Sequence, residues 1–233
     1  HQIAVTYRHQ DQWKGKIPEC KIDLLPRLKE RLENHIDFKL VCYGDSLIVG
    51  HNASSKLRIK PFQPDLASAF VKEMMRIHKL KIKMVNNALG GMLSKAGCEN
   101  IYEDVIEYHP DLVLINYGMN DASWKIPITE YISNMKYMID AIKKDNPECE
   151  IILISPMIAN PESIQHLGQE SYYLPLEYLT QQYQGVVCLD MTNFTKYLFT
   201  KKRSVDFLAN NINHPSDFLV KQFVSNLLTL IGD

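Results

Sequence analysis

No stretch of the chain approaches the roughly 18 consecutive apolar residues that a membrane-spanning helix needs. The start His1-Gln2-Ile3 also lacks a basic-then-apolar targeting pattern, so the sequence reads as that of a soluble protein with no membrane insertion. Charge of one sign is lacking too. Lys and Arg number 26 against 27 Asp and Glu, which leaves no global field to draw in nucleic acid or an anionic surface. The short basic groups Lys143-Lys144 and Lys201-Lys202-Arg203 read as solvated helix ends or loops, and nucleic acid is excluded as a partner. The five cysteines, Cys20, Cys42, Cys98, Cys149 and Cys188, are an odd number without metal-type spacing, and they read as reduced, small, buried hydrophobes. No internal repeat, low-complexity tract or interdomain linker breaks the chain. It does not begin with Met, so localisation stays open, with a cytoplasmic setting favoured over a secreted one. Oligomeric state cannot be read from it.

What is present is enough apolar sequence, 45% of 233 residues, to bury one large core. Residues 1–37 are polar and irregular, with a short amphipathic helix over 24–34, and form a lead-in segment or the remnant of an upstream module. Aromatics there, such as Tyr7 and Trp13, read as anchors. Residues 38–233 form the main domain. Apolar runs of strand length occur at Phe38–Tyr43, Ile82–Val85, Leu112–Tyr117, Ile151–Ser155 and Val186–Leu189. Segments of helical periodicity separate them, and Gln63-Pro64-Asp65 opens the helix over 66–78. Further helices are expected over 100–108, 129–144, 169–184 and 216–231. Continuous apolar strands alternating with helices predict a five-stranded parallel sheet covered on both faces. The expected fold is a flavodoxin-like three-layer α/β/α sandwich of strand order 2-1-3-4-5, with the turn after the first strand at the topological switch point.

That turn is Gly44-Asp45-Ser46, and a serine presented at the carboxyl edge of such a sheet stands where a nucleophile is expected. Three other stretches fall at strand ends or before the last helix: Asn86-Asn87-Ala88-Leu89-Gly90-Gly91, Gly118-Met119-Asn120-Asp121 and Asn213-His214-Pro215. Ester cleavage needs a nucleophile, a base beside it and donors aimed at the developing oxyanion. Ser46 supplies the hydroxyl and His214 a base suited to neutral pH. The Ser46 N–H, a backbone N–H from the Gly90-Gly91 pair and the Asn120 amide supply donors.

The four blocks together resemble the SGNH, or GDSL-type, hydrolase family, from about Leu40 to the carboxyl terminus. The resemblance implies a metal-free serine esterase that uses no cofactor, with Ser46 as nucleophile, His214 as base, and Ser46, Gly91 and Asn120 as the oxyanion hole. It implies a small-molecule or carbohydrate ester as substrate, with a short acyl group, acetyl above all, preferred over the longer chains of a lipase or thioesterase. The loops 52–62 and 160–173 are where substrate choice would be made. The family commonly has aspartate three residues before the histidine, and here that position is Asn211. In trypsin-like proteases, aspartate to asparagine at the corresponding site costs about 10⁴-fold through the wrong imidazole tautomer. His214 is therefore expected to be oriented by Asn211 or a backbone carbonyl, or by Asp206 or Asp217, or else the chain is an impaired relative that binds a ligand without cleaving it. Asp45 and Asp121 are expected to tie their own loops together through hydrogen bonds.

Overall fold

The computed structural model describes residues 10, 12–58, 64–164 and 166–233. Tyr7 and Gln63 lie outside the described residues, as does part of the loop over 52–62. A 3-10 turn at Ile22–Leu24 leads into α1 (Pro26–Glu33), and β1 follows at Phe38–Gly44. Two single-turn helices, α2 (Ser46–Val49) and α3 (Ser54–Leu57), come before α4 (Leu66–His78) and β2 (Ile82–Asn86). Then come α5 (Ser94–Glu99), α6 (Ile101–Asp104), β3 (Leu112–Asn116), α7 (Met119–Ser123), α8 (Ile128–Asp145) and β4 (Glu150–Ile154). The carboxyl part holds α9 (Tyr173–Thr180), β5 (Val186–Leu189), α10 (Met191–Phe199), α11 (Ser204–Phe207) and α12 (Asp217–Leu230).

All strand pairs are parallel and the order is β2-β1-β3-β4-β5, the doubly wound order expected from the apolar runs. Because side chains alternate across a strand, the sheet feeds two separate cores. Leu40, Cys42, Leu112, Leu114, Ile152 and Ile154 face α1, α4 and α12. Val41, Tyr43, Val113, Ile115, Ile151 and Leu153 face α6, α8 and α9. Three layers result, with the carboxyl ends of β1 and β3 at the switch point between the two windings.

Of the cysteines, Cys42, Cys149 and Cys188 are buried and Cys98 is half-buried. Cys20 is exposed, a departure from the expected burial of all five. The segment before β1 packs on the sheet: Leu25, Leu28 and Leu32 belong to its core, and Trp13 stacks on Phe194 at 5.0 Å and meets Tyr197 edge-on at 4.6 Å. Helix α1 has no cap from its own sequence, and its first turn is instead satisfied from β4. The Glu150 carboxylate accepts from the N–H groups of Arg27 (2.9 Å) and Leu28 (2.7 Å), and burial pushes this carboxyl above its ordinary range while the two N–H groups act against that shift. Glu150→Ala leaves both donors without their partner and is expected to cost about 2–3 kcal/mol, read as a lower urea midpoint at unchanged slope.

Two helices differ from the sequence expectation. The segment expected over 100–108 begins earlier, at Ser94, and breaks into α5, α6 and a 3-10 turn at Ile106–Tyr108. Gly97 lies so close to Tyr117 and Met138 that a Cβ there would sit 2.9 Å from each, which draws α5 against α8. The segment over 169–184 is a 3-10 turn at Gln169–Tyr172 followed by α9, which ends at Thr180, with Pro175 in its first turn. Helix α10, which sequence periodicity left unassigned, starts at an Asp190 cap whose carboxylate accepts from Asn193 N–H at 2.9 Å.

Candidate active site

Strand β1 ends where its backbone must pass very close to β3. Gly44 has φ +153°, and a Cβ there would lie 2.3 Å from the Asn116 carbonyl oxygen, the same atom that accepts from Asp45 N–H at 3.1 Å. Asp45 then caps α2, its Oδ1 accepting from Leu47 N–H at 3.0 Å. Ser46 is thereby set as the first residue of α2 and is only 4% exposed.

Its hydroxyl lies 3.0 Å from His214 Nε2, across 168 residues of sequence. The histidine sits on a closed loop between α11 and α12. Leu208 and Pro215 form an antiparallel bridge, and Ala209 N–H donates to the His214 carbonyl at 2.8 Å. The loop is built around Asn210, whose Oδ1 accepts from the N–H groups of Ile212, Asn213 and His214, each at 3.0 Å.

At the other ring nitrogen, Nδ1, stands Asn52 Oδ1, hydrogen-bonded to it from the loop between α2 and α3. Asn210 Nδ2 is 3.3 Å from the same nitrogen and also donates to Asn213 Oδ1 at 3.0 Å. Asn211, expected at this place, is exposed and has φ +57°. Its carbonyl accepts from Asn160 Nδ2 at 2.9 Å and its N–H donates to the Leu208 carbonyl, while the hydrogen bonds at His214 Nδ1 come from Asn52 and Asn210 instead. Asp206 accepts from Arg203 N–H at the start of α11, and Asp217 accepts from Ser54 N–H at 3.0 Å. Asp206 is not hydrogen-bonded to His214.

Burial holds His214 well below the usual imidazole range, at about 4, and repulsion from His51 and His166 adds to the effect. The His51 ring is 5.7 Å from that of His214, and His166 Nδ1 meets Ser123 Oγ at 2.9 Å. Burial pushes Asp45 up to about 7, against the pull of Leu47 N–H and with help from nearby Asp121.

Asn120 is the second residue of α7. Its Nδ2 donates to Met92 O at 3.0 Å and lies 3.3 Å from Asp45 Oδ2, which joins the block after β3 to the block after β1 and to the Gly90-Gly91 loop. Gly91 has φ +81° and opens to free space, whereas a Cβ on Gly90 would lie 2.8 Å from the His51 ring. Buried Asp121 accepts from Ser94 N–H at 3.1 Å and so anchors α7 to α5. Among the described residues, no group of three or more His, Cys, Asp or Glu side chains is arranged to hold a metal ion, and no helix is long and apolar enough to cross a membrane.

A serine at the switch point of a doubly wound sheet, paired with a histidine from the loop before the last helix, is the arrangement of a serine hydrolase on an α/β/α scaffold. Residues 42–217 match the GDSL-like lipase/acylhydrolase family, and the chain belongs to it. A protein named arylesterase from Vibrio mimicus is 30% identical over 105 residues, which are 45% of this chain and 48% of that relative; the match therefore spans about half of the relative's length. Among solved structures, the chain is similar to an acetylxylan esterase from Geobacillus stearothermophilus (TM-score 0.66, 18% identity, 84% of this chain and 94% of that one). It is also similar to a two-domain esterase active on acetylated mannans (TM-score 0.71, 14% identity, 93% and 54%). A lipase/acylhydrolase from Enterococcus faecalis gives a TM-score of 0.61 at 22% identity over 82% and 93%. At these identities the solved structures speak for the fold.

Proposed function

We propose that this chain is a serine esterase that removes short acyl groups, acetyl above all, from a carbohydrate or similar alcohol through an acyl-enzyme on Ser46. The observation that carries this reading is the 3.0 Å contact between Ser46 Oγ and His214 Nε2 at the switch point of the sheet. Nε2 takes the hydroxyl proton as Oγ bonds to the ester carbonyl carbon. The oxyanion is held by Ser46 N–H, Gly91 N–H and Asn120 Nδ2. Of the two contacts that Asn120 Nδ2 makes, the longer one, to Asp45, is the one that yields to the oxyanion. The carbon–oxygen bond to the alcohol then breaks, with the Nε2 proton going to the leaving oxygen. Water, deprotonated by the same nitrogen, attacks the acyl-enzyme, and its collapse releases the acid and restores Ser46.

The preference for acetylated carbohydrate draws support from the solved structures of like fold that are named for acetylated xylan and mannan. A second reading, longer or aromatic acyl groups, has one observation in its favour. Leu89 and Trp124, 60% and 74% exposed, stand on loops that carry the site, and exposed Leu167 adjoins His166. Turnover of p-nitrophenyl esters of rising chain length beside acetylated xylo- and manno-oligosaccharides tests the choice. Deacetylation of the sugars with a steep fall beyond short acyl chains is expected, and rates that climb with chain length overturn the acetyl preference.

Asn120→Ala is expected to lower kcat by about 10²–10³-fold with little change in KM, because the donor acts on charge that develops after binding. The pH profile follows from His214. Its base form is neutral, and with its ionisation held down at about 4 that form persists as pH falls through the ordinary imidazole range. The acid limb of kcat/KM is therefore expected near pH 4 rather than near 6.5, measured with an ester whose product is read independently of pH.

A further inference from the structure

We propose that Asn52 is the positioning residue of the catalytic base: its side-chain amide oxygen accepts the Nδ1–H bond of His214 in the place where a triad carboxylate would stand. The inference rests on the esterase reading of Ser46 and His214 and concerns what makes that pair competent. A general base at Nε2 must carry its proton on Nδ1, so the group facing Nδ1 decides whether the ring can work. Two amides face it. Asn52 offers Oδ1, an acceptor, which selects the Nδ1–H tautomer and leaves the Nε2 lone pair toward Ser46 Oγ. Asn210 presents Nδ2 at 3.3 Å, but its Oδ1 is committed to three backbone N–H groups and its Nδ2 donates to Asn213 Oδ1. Asn210 is therefore locked as the frame of the loop and cannot turn an oxygen to the ring, which leaves Asn52 as the acceptor.

The loop that carries Asn52 is held at both ends. His51 N–H donates to the Ser46 carbonyl at 3.1 Å, Ala53 N–H to the Gly50 carbonyl at 3.0 Å, and Ser54 N–H to Asp217 Oδ1 at the start of α12. Ala53 is fully buried, and Asn52 itself has φ +62°, a left-handed backbone that asparagine tolerates better than most residues. Nucleophile helix, Asn52 and the helix that follows His214 thus form one rigid unit.

A neutral acceptor orients the ring but does not offset the charge of an imidazolium. The titratable groups that bear on the ring are His51, from the same loop, and His166, from the loop after β4; both oppose its protonation. A carboxylate at position 52 changes this balance, since an opposite charge at hydrogen-bond distance raises a histidine pKa by about 1–3 units.

The test compares wild type with Asn52→Asp and Asn52→Ala, using kcat and KM for a short ester across pH together with ¹⁵N NMR of the His214 ring. Asn52→Asp is expected to move the acid limb up by about 1–2 pH units. Asn52→Ala is expected to lose roughly 100-fold in kcat at little change in KM, less than the ~10⁴-fold known for a mis-oriented triad, because only a neutral hydrogen bond is lost. The ring of the wild type is expected as the Nδ1–H tautomer, giving way to a mixture in Asn52→Ala. An Asn52→Asp profile that superimposes on wild type, or a wild-type ring in the Nε2–H form, overturns the proposal. Wild type without esterase activity would instead count against the esterase reading, and the tautomer measurement still decides the role of Asn52.

Discussion

Ser46→Ala is expected to lower kcat for a short ester by about 10⁵–10⁶-fold while leaving the fold intact. The loss is of that size because the proposed chemistry passes through a bond to Oγ and His214 cannot compensate by itself; what survives is the rate that the oxyanion donors give to attack by water. The methyl group fits the site, since Ser46 occupies the first position of α2 and its Oγ makes no hydrogen bond that holds the helix together; the cap comes from Asp45. Its melting temperature is therefore expected to equal that of wild type or to rise slightly, as happens when a polar group arranged for function is removed. Initial rates with p-nitrophenyl acetate and a thermal melt decide the matter, and activity within tenfold of wild type would remove Ser46 from the mechanism.

Gly44→Ala is expected to give the largest loss of stability of any single methyl added near the site, about 3 kcal/mol or more. The new Cβ would lie 2.3 Å from Asn116 O, a backbone atom of the central strand β3 that is held in the ladder with β1 and accepts from Asp45 N–H. Neither partner can yield without parting the two strands, and φ +153° adds strain to the contact. A lower urea midpoint with unchanged slope would report the cost, and kcat/KM would fall with it because Asp45 and Ser46 follow directly. Gly91→Ala makes the contrasting case. It also has a positive φ, +81°, but meets nothing within 4 Å, so about 1 kcal/mol is expected and folding should survive. Equal stability losses at the two positions would contradict the close approach of β1 and β3.

The central frame was legible in the sequence because buried parallel strands announce themselves as continuous apolar runs. Val186–Leu189 was read to the residue, and the others to within one residue at their ends. From the alternation of strands and helices came the strand order, and from the order the switch point at which Ser46 stands. What stayed hidden depended on contacts distant in sequence. The partner of His214 Nδ1 lies 162 residues away, at Asn52, and no local spacing points to it. The position three residues before the histidine drew attention to Asn211, yet that residue takes a left-handed backbone whose carbonyl accepts from Asn160, while Asn210 is spent on closing the loop. Helix α5 was missed for a related reason: Ser94 and Gly97 are small because α8 and Tyr117 press against them, which erases the apolar periodicity that marks an exposed amphipathic helix. The cap at Asp190 was available as a signal for α10, through the Asp-x-x-Asn pattern of Asp190 and Asn193.

A serine hydrolase that works through Ser46 is most directly tested by covalent capture: the protein is treated with a fluorophosphonate, digested, and the modified peptide is sequenced by mass spectrometry, with and without a competing short-chain ester. Modification confined to Ser46, slowed by the ester and abolished in Ser46→Ala, is the expected result. Ester hydrolysis that continues with Ser46 unmodified, or labelling that persists in Ser46→Ala, would contradict it.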